Sequence, residues 1–570
     1  MNKKNLIKLL ETIATYMELK GENPFKTGAF RKAAQAIELD DRSLSQIDDF
    51  KALKGVGKGT AAVIEEYLET GQSTVLDSLK AEVPEGLVPL LQLPGLGGKK
   101  IAKLYQELNV QNIDDLKKAC EENRVQGLAG FGAKTEEKIL AVIGEIGKRP
   151  DRFPISFMLP IADELDEALN TISAVDRFSR AGSLRRARET IKDLDYIVST
   201  RKPVEVREKL LEINKIKEVI ANGNTKVSIV LDRGFDVSVD IRLVPEESFA
   251  TTLHHFTGSK DHNVKMRQIA KERGEKISEY GVESIESGEV LHFSSEKDFY
   301  AHFKMAFIPP EVREDGREVD RHKDAANLIS LSDVKGDLHM HTTWSDGAYS
   351  LVEMIDACRA KGYEYMAITD HSHYLKVANG LSAERLEKQM NEIKALNQKY
   401  DDIEILAGIE MDILPDGSLD YDDELLSQLD IVIASIHSSF SQSQEKIMKR
   451  LQTALNNPHV DIIAHPTGRI IGQRKGYDVD VKALIEQAAK TGTALELNAN
   501  PNRLDLSAEF AEMAQEHGVP MIINTDAHDI PHLEFMDMGV KAGRKGWLRK
   551  ESVLNTRSFK DFSEFLNRHK

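Results

Sequence analysis

The sequence predicts a multi-domain chain in three styles: all-α at the N-terminus, α/β in the middle, and a distorted seven-stranded β/α barrel at the C-terminus. Three observations predict it. Over the first 150 positions apolar residues recur at spacings of three and four, as in Leu6, Leu9, Leu10, Ile13 and Met17. From 151 to about 310, strand-like apolar runs mix with helical ones. From 336 on, seven apolar runs alternate with amphipathic helices, and each run ends in a polar or metal-binding type of residue. The 570 residues leave room for about three to five domains.

Composition narrows the function classes. Hydrophobic residues at 41% and charged residues at 30% suit a soluble globular chain and exclude a mainly disordered one. No apolar run approaches the ~18 residues of a membrane span. The opening MNKKNLIKLLETIATYMELKG is amphipathic and lacks a secretory apolar block. Cys120 and Cys358 give no disulfide framework, so a reducing cytoplasm is expected. The net charge of -17 divides as 0 over residues 1–150, -6 over 151–320 and -11 over 321–570. No segment is basic, so bulk charge gives no non-specific grip on nucleic acid. Of 17 histidines, 12 follow residue 320, which points to a metal centre there.

The helical part carries three glycine-rich turns: LKGVGKGTAAVI (53–64), LPGLGGKKIAKL (93–104) and LAGFGAKTEEKI (128–139). Each is Leu-x-Gly-x-Gly followed by an amphipathic helix. Such turns leave amide N–H groups exposed at a helix start, where they bind a phosphate oxygen without a positive side chain. The binding candidates are Gly55, Gly57, Lys58, Gly95, Gly97, Lys99, Gly130 and Gly132, with Lys100 and Lys103 beside them. One such turn is as readily a plain helical hairpin. Three with one grammar favour phosphate binding, and they resemble helix-hairpin-helix motifs, which grip DNA backbones without reading sequence.

In the middle, AGSLRRARETIKDLDYIVST (181–200) places Gly182-Ser183 at a helix start and then a strand bearing Asp193 and Asp195. Residues two apart on a strand share a face. TKVSIVLDRGFDVSVDIRLVP (225–245) reads as a hairpin turning at Asp232-Arg233-Gly234. Its second strand alternates Asp236, Ser238, Asp240 and Arg242 with Val237, Val239, Ile241 and Leu243. If these strands are neighbours, Asp193, Asp195 and Asp240 converge, a set that holds two Mg²⁺ ions for in-line phosphoryl transfer. The Gly182-Ser183 turn would cradle a triphosphate, with Arg186 as charge clamp. An Asp-x-Asp pair alone is usually a solvated face; the Gly-Ser turn upstream is what argues against that.

GSLRR, DLD, VDIRL and HFTGS (255–259) resemble the nucleotidyltransferase signature of family X DNA polymerases, the DNA polymerase beta group, over roughly residues 1–315. The resemblance implies that Asp193, Asp195 and Asp240 are catalytic metal ligands and that Asp240 helps activate the primer 3′-hydroxyl. It implies phosphate contacts for Ser183 and Arg186, sugar contacts for Phe256 and Gly258, and a base contact for Asn263. His255 stands where the family usually has Tyr. The family's lyase lysine falls at Val63, and a valine forms no imine.

The convergent set within these C-terminal runs is His339, His341, Asp346, His371, Glu410, His437, His465, Asp526 and His528. Chemistry in such barrels sits at the C-terminal strand ends. Any one of these histidines alone reads as a hydrogen-bonded core residue; nine ligands at strand ends do not. Imidazoles with a few carboxylates suit Zn²⁺, Mn²⁺ or Fe²⁺, and the number of ligands implies two or three ions. Such a site points to hydrolysis, one ion activating water and the others holding phosphate oxygens. Arg469 and Arg503 are candidate phosphate clamps, and Asp370 and His373 candidate partners of the ligands. His459, His517, His532 and His569 read as surface residues. The pattern is similar to the PHP (polymerase and histidinol phosphatase) metal phosphoesterases over about residues 333–570, some of which carry His where this chain has Asp346.

Together these features resemble a bacterial family X DNA polymerase with a C-terminal PHP domain. The expected domains are 1–80 (helical, DNA-binding), 81–150 (fingers-like helix-hairpin-helix), 151–245 (palm), 246–315 (thumb-like), a 316–335 linker, and 336–570 (PHP). The resemblance implies gap filling in base excision repair, a 3′→5′ exonuclease in the PHP part, and abasic sites as a further substrate. The implied partners are gapped or primer–template DNA and dNTPs, with Mg²⁺ at the polymerase site. No membrane partner is expected, and the chain is expected as a cytoplasmic, nucleoid-associated monomer. Two alternatives stand beside this: a small-molecule phosphatase role for the PHP part, and a DNA-binding scaffold without catalysis.

Overall fold

The computed structural model describes residues 3–38, 40, 44, 47, 49–93, 96–146 and 150–569. It divides into two compact units. One holds Met1–Arg149 with Thr342–Met354 and Val377–Asn379; the other holds Pro150–His341, Ile355–Lys376 and Gly380–Lys570.

The described residues of the first unit up to 146 are helical in the main, as the three-and-four spacing predicts. Its helices include Lys3–Lys20, Pro24–Glu38, Lys58–Thr70, Thr74–Glu82, Gly98–Leu108, Ile113–Glu121 and Ala133–Ile146. Leu6, Leu10, Ile13, Ile37, Ile64, Ile101 and Leu116 are wholly buried in one core, each such side chain contributing roughly 1.5–3 kcal/mol of burial. Val63 belongs to that core as well.

The second unit contains the middle sheet, a small sheet with its helices, and the barrel. The middle sheet has five strands in the order Arg177–Arg180, Leu194–Ser199, Asp236–Val244, Lys226–Asp232, Ile216–Asn222. Leu194–Ser199 runs parallel to Asp236–Val244; the other pairs are antiparallel. Along Asp236–Val244 the expected alternation appears, with Val237, Val239, Ile241 and Leu243 buried and the residues between them partly exposed. The hairpin turns where expected: Asp232 pairs with Asp236, and Gly234, at φ +81, donates its N–H to Asp232 Oδ1 at 3.2 Å. Next come the helices Phe249–Thr257 and Lys260–Glu272, a three-stranded antiparallel sheet, and the helix Glu296–His302.

The segment 316–335, read as a linker, packs down instead of running free. Val319, Ala325 and Ile329 are buried. Buried Glu318 lies 2.7 Å from His262 Nδ1, and the Arg321 guanidinium stacks 3.8 Å over the Trp547 ring. Its charges pair across space with residues that local sequence does not reveal.

The barrel has the seven predicted strands, all parallel and in chain order: Gly336–Asp337, Tyr365–Ile368, Glu404–Asp412, Ile431–Ser435, Ile462–Ile463, Ala494–Asn498 and Met521–Asn524. Just beyond the first and last strands, Met340 bridges Ala527, and His341 N–H donates to Ala527 O at 2.8 Å. That bridge draws the two edge strands together at the end where the ligands lie. No described helix is long and apolar enough to cross a membrane.

Candidate active sites

The three glycine turns share one buried position. The residue between the two glycines is buried, as Val56, Leu96 and Phe131 are, and anchors the turn to the core. Gly55, Gly57, Lys58, Gly97, Lys99, Gly130 and Gly132 are exposed. Gly95 lies outside the described residues. Gly55 has φ +116, and a Cβ there would stand 3.2 Å from Lys32 O, so the turn excludes other residues. Gly57 N–H donates to Thr60 Oγ1 at 2.9 Å, and that hydroxyl donates back to Gly57 O at 2.9 Å.

In the middle sheet, register sets Asp195 directly beside Asp240 on neighbouring parallel strands. Asp193 is not on the strand, which starts at Leu194; it sits on the bend just before it. Its charge still reaches Asp195. Burial, then Asp240, then Asp193 push the Asp195 carboxyl up to about 7, against Arg186 and Lys226. A carboxylate so crowded by its neighbours fits a set built around divalent cations. Asp240 is held in place by Lys226 Nζ at 3.1 Å and by the Ser228 hydroxyl, which donates at 2.5 Å. The sequence reading missed both supports, although hairpin register pairs Ser228 with Asp240.

Gly182 opens the short helix Gly182–Arg185 with φ +58. A Cβ there would overlap Oδ2 of Asp195 and lie 3.0 Å from its Cγ. Glycine therefore lets the turn close onto that carboxylate. Ser183 follows, half-buried. Arg186 Nη1 donates to Thr257 O and lies 3.2 Å from where a Cβ on Gly258 would be, so the two meet closely. Arg242 stacks 4.5 Å over the Phe256 ring, and Asn263 Nδ2 donates to His255 O at 2.8 Å. Gly182, Arg186, Gly258 and Asp195 thus lie close together.

In the barrel, the ligand candidates gather around two carboxylates. Glu410 lies within the strand Glu404–Asp412 and is 1% exposed. Its Oε1 lies 2.9 Å from His465 Nε2 and 3.2 Å from His437 Nε2; its Oε2 lies 2.9 Å from His371 Nδ1 and 3.5 Å from both His339 Nε2 and His341 Nε2. Asp526 Oδ1 lies 3.2 Å from His341 Nε2, 3.5 Å from His339 Nε2 and 3.6 Å from His528 Nδ1. The His341 ring stacks on those of His371 and His528 at 4.3 and 4.0 Å. Asp346 follows five residues after His341 on the next loop, within the segment that groups with the first unit.

The electrostatics fit metal ions. Burial disfavours charge on Glu410, yet His437, His371 and His339 hold it well below the carboxylate range. Asp526 is held down likewise by His339, His341 and His528 against its burial. Burial, with His528 and His371 nearby, lowers His341 to about 3, so it is a neutral imidazole, the form that ligates. Buried His339 Nε2 and Glu410 Oε2 face one another without a hydrogen bond among the described residues. The two groups converge to 3.5 Å in a buried setting rich in imidazole and carboxylate, an arrangement that suits a shared cation.

Two orienting carboxylates escaped the sequence reading. Glu496, wholly buried, lies 2.7 Å from His339 Nδ1 and accepts the backbone N–H of His465 at 2.8 Å. Asp412 lies 3.3 Å from His437 Nδ1. Their signal was an acid inside an apolar strand run, which needs a partner once buried. The candidates offered for that role fare differently: Asp370 is buried and accepts from Gln389 Nε2 at 2.6 Å, while His373 is exposed. Arg469 is tied to Glu189 at 2.7 and 3.2 Å and to the carbonyls of Arg503 and Leu504, an internal strut. Arg503 points its Nε at Asp526 Oδ2, 3.6 Å away. His532, read as a surface residue, accepts the N–H of His528 at 3.3 Å.

Family models match as a helix-hairpin-helix domain over residues 1–73, a SAM-like helix-hairpin-helix tandem over 87–145, a DNA polymerase beta thumb over 252–314 and a PHP domain over 337–500. The chain is 64% identical over 569 residues to the DNA polymerase/3′-5′ exonuclease PolX of Bacillus subtilis (strain 168), covering 100% of each. A probable phosphatase of Thermoanaerobacter sp. (strain X514) is 31% identical over 234 residues, 39% of this chain and 89% of that protein. One from Shewanella oneidensis is 29% identical over 202 residues, 34% of this chain and 75% of that protein.

Proposed function

Because the chain belongs to the PolX family of DNA polymerase/3′-5′ exonucleases, we propose that it extends primers at Asp193, Asp195 and Asp240 and degrades 3′ ends at the barrel cluster. The observation that carries the first assignment is the parallel register of Asp195 with Asp240 beside a glycine turn too tight for a side chain.

At the first site the three aspartates would hold Mg²⁺. At the second, His339, His341, Asp346, His371, Glu410, His437, His465, Asp526 and His528 would hold two or three Mn²⁺, Zn²⁺ or Fe²⁺ ions. Bound there, such cations screen the carboxylates, acidify the attacking hydroxyl or water, and neutralise charge on the phosphate. The residues do the rest. Gly182, Ser183 and Arg186 seat the triphosphate; Phe256 and Gly258 flank the sugar; Asn263 lies near the base. The primer 3′-oxygen bonds to the α-phosphorus as pyrophosphate leaves, and the hydroxyl proton passes to Asp240, which Lys226 and Ser228 keep aimed. In the barrel, water adds across the terminal phosphodiester, Glu496 and Asp412 keep their imidazoles oriented, and Arg503 presents positive charge to the phosphate.

Gly55, Gly57, Lys58, Gly95, Gly97, Lys99, Gly130 and Gly132 grip the DNA backbone. We assign the domains as 1–80, 81–150, 151–245, 246–315 and 336–570, joined by 316–335. The substrate is gapped or primer–template DNA with dNTPs, in base excision repair, with abasic sites as a further substrate of the barrel. The enzyme acts as a cytoplasmic, nucleoid-associated monomer. The likeness of the barrel to probable phosphatases supports a second reading, hydrolysis of a small phosphomonoester. One experiment separates them: a gapped, 5′-labelled primer–template with metal, with and without dNTPs. Longer product with dNTPs and shorter product without support both assignments. Loss of extension but not shortening in Asp193→Ala/Asp195→Ala, and the reverse in His339→Ala/His341→Ala, fixes the sites. Phosphate release from a small ester with no shortening favours the second reading.

A further inference from the structure

The carboxylate of Glu314 collects three cations from different parts of the second unit. Lys545 Nζ lies 2.5 Å from its Oε1, Arg188 Nη1 lies 2.7 Å from its Oε2, and Arg186 Nε stands 3.5 Å from Oε1. Lys545 is the last residue of the barrel helix Phe535–Lys545. Its ammonium also lies 3.4 Å from the carbonyl oxygens of Arg186 and Glu311. Arg186 Nε, although buried, makes no hydrogen bond among the described residues. Glu314 is fixed from behind, because Ser259 Oγ donates to its backbone oxygen at 2.5 Å.

One carboxylate oxygen therefore faces two cations, and the shorter contact goes to Lys545. We infer that Lys545 is a positioning residue for nucleotide binding: by occupying Glu314 it leaves the Nε edge of the Arg186 guanidinium, whose Nη1 is bound to Thr257 O, available to the triphosphate. The inference rests on the reading of Arg186 as the phosphate clamp. Without the ammonium, Oε1 turns to its nearest remaining cation, Arg186 Nε. A carboxylate bonded to that guanidinium competes with the nucleotide for it. A side chain of the barrel thus completes the polymerase pocket.

The test uses the full chain on a one-nucleotide gap, reading KM for dNTP, kcat and 3′→5′ hydrolysis. Lys545→Met raises KM about fivefold, with kcat within about twofold and hydrolysis unchanged. Lys545→Arg, which keeps the charge, holds KM at the native value. Glu314→Gln added to Lys545→Met removes the competitor and brings KM back to within about twofold of native. A simple loosening of the fold predicts the opposite, since the double variant breaks more contacts, and thermal melting reports it. An unchanged KM in Lys545→Met while Arg186→Ala raises it overturns the inference and leaves the clamp intact; so does a double variant without recovery. An unchanged KM in Arg186→Ala overturns the clamp, and the inference with it.

Discussion

Gly182→Ala is the sharpest test of the polymerase site, because a single methyl group carries the whole perturbation. The residue has φ +58, where an L side chain is strained by about 1 kcal/mol relative to glycine. The added Cβ would overlap Asp195 Oδ2 and stand 3.0 and 3.3 Å from Cγ and Cβ of the same side chain. Asp195 cannot retreat sideways, because Asp240 holds the neighbouring register position. Either the turn opens or the carboxylate shifts by about 1 Å. A displacement of that size at reacting groups lowers the rate by roughly 100-fold. Single-turnover gap filling is the assay, with 3′→5′ hydrolysis by the same preparation as the control. We expect extension to fall about 100-fold, hydrolysis to hold, and the melting temperature to drop by a few degrees. Extension within about threefold of native would refute the claim that this turn is fitted to that carboxylate.

Two further variants and one titration follow from the same geometry. Glu496→Gln puts an N–H donor in place of one of the two oxygens that separately meet His339 Nδ1 and the His465 amide; metal affinity of the barrel should fall about 10- to 100-fold, read by equilibrium dialysis with elemental analysis, while extension is unchanged. Glu296 is buried between Arg313 at 2.7 Å and Arg185 at 2.5 Å. Burial raises its pKa, but the two guanidiniums outweigh that and bring it down to about 2. A depressed carboxylate stabilises above its unfolded pKa and loses that as pH falls through the folded one, so about 3 kcal/mol should vanish between pH ~4.5 and ~2. Denaturant titration at pH 7 and pH 3 should show Glu296→Gln losing less than native across that window; equal losses would contradict the pairing. Val63→Lys should not create lyase activity, because the position faces a packed core; borohydride trapping on an abasic substrate checks it.

What the sequence made legible was what depends on local period. The alternation in Asp236–Val244 names its own buried face, so Asp240 was placed before any fold was known. The candidate ligands of the barrel cluster at or near the ends of apolar runs, and strand order followed chain order. What stayed hidden was pairing across distance. Arg469 meets Glu189, Lys545 meets Glu314, and 316–335 packs by contacts such as Arg321 on Trp547. Asp193 fell off its strand because strand ends are set by the last ladder bond, not by composition. Glu496 stayed hidden as well, since one acid in an apolar strand looks like an interruption until its partner histidine is in view.

The two sites should hold their ions on different terms. The aspartate trio is oxygen-only and open; the Asp240 side chain is 41% exposed. Hard, open carboxylates suit Mg²⁺, which keeps its waters and exchanges readily. The barrel cluster is rich in imidazole and closed, with His339 and His341 at 0% exposure. Imidazole favours transition metals, and burial slows their escape. Loading also displaces protons: burial opposes charge on His437, but Glu410 and Asp412 raise it to about 10, so affinity in the barrel should weaken as pH falls. Chelation followed by desalting should therefore separate the activities. Extension should return at once with millimolar Mg²⁺, while shortening of DNA ends should need Mn²⁺, Zn²⁺ or Fe²⁺ and should release protons into weak buffer on loading. If Mg²⁺ alone restored both activities at the same speed, the distinction between an open carboxylate site and a closed imidazole one would carry no functional weight.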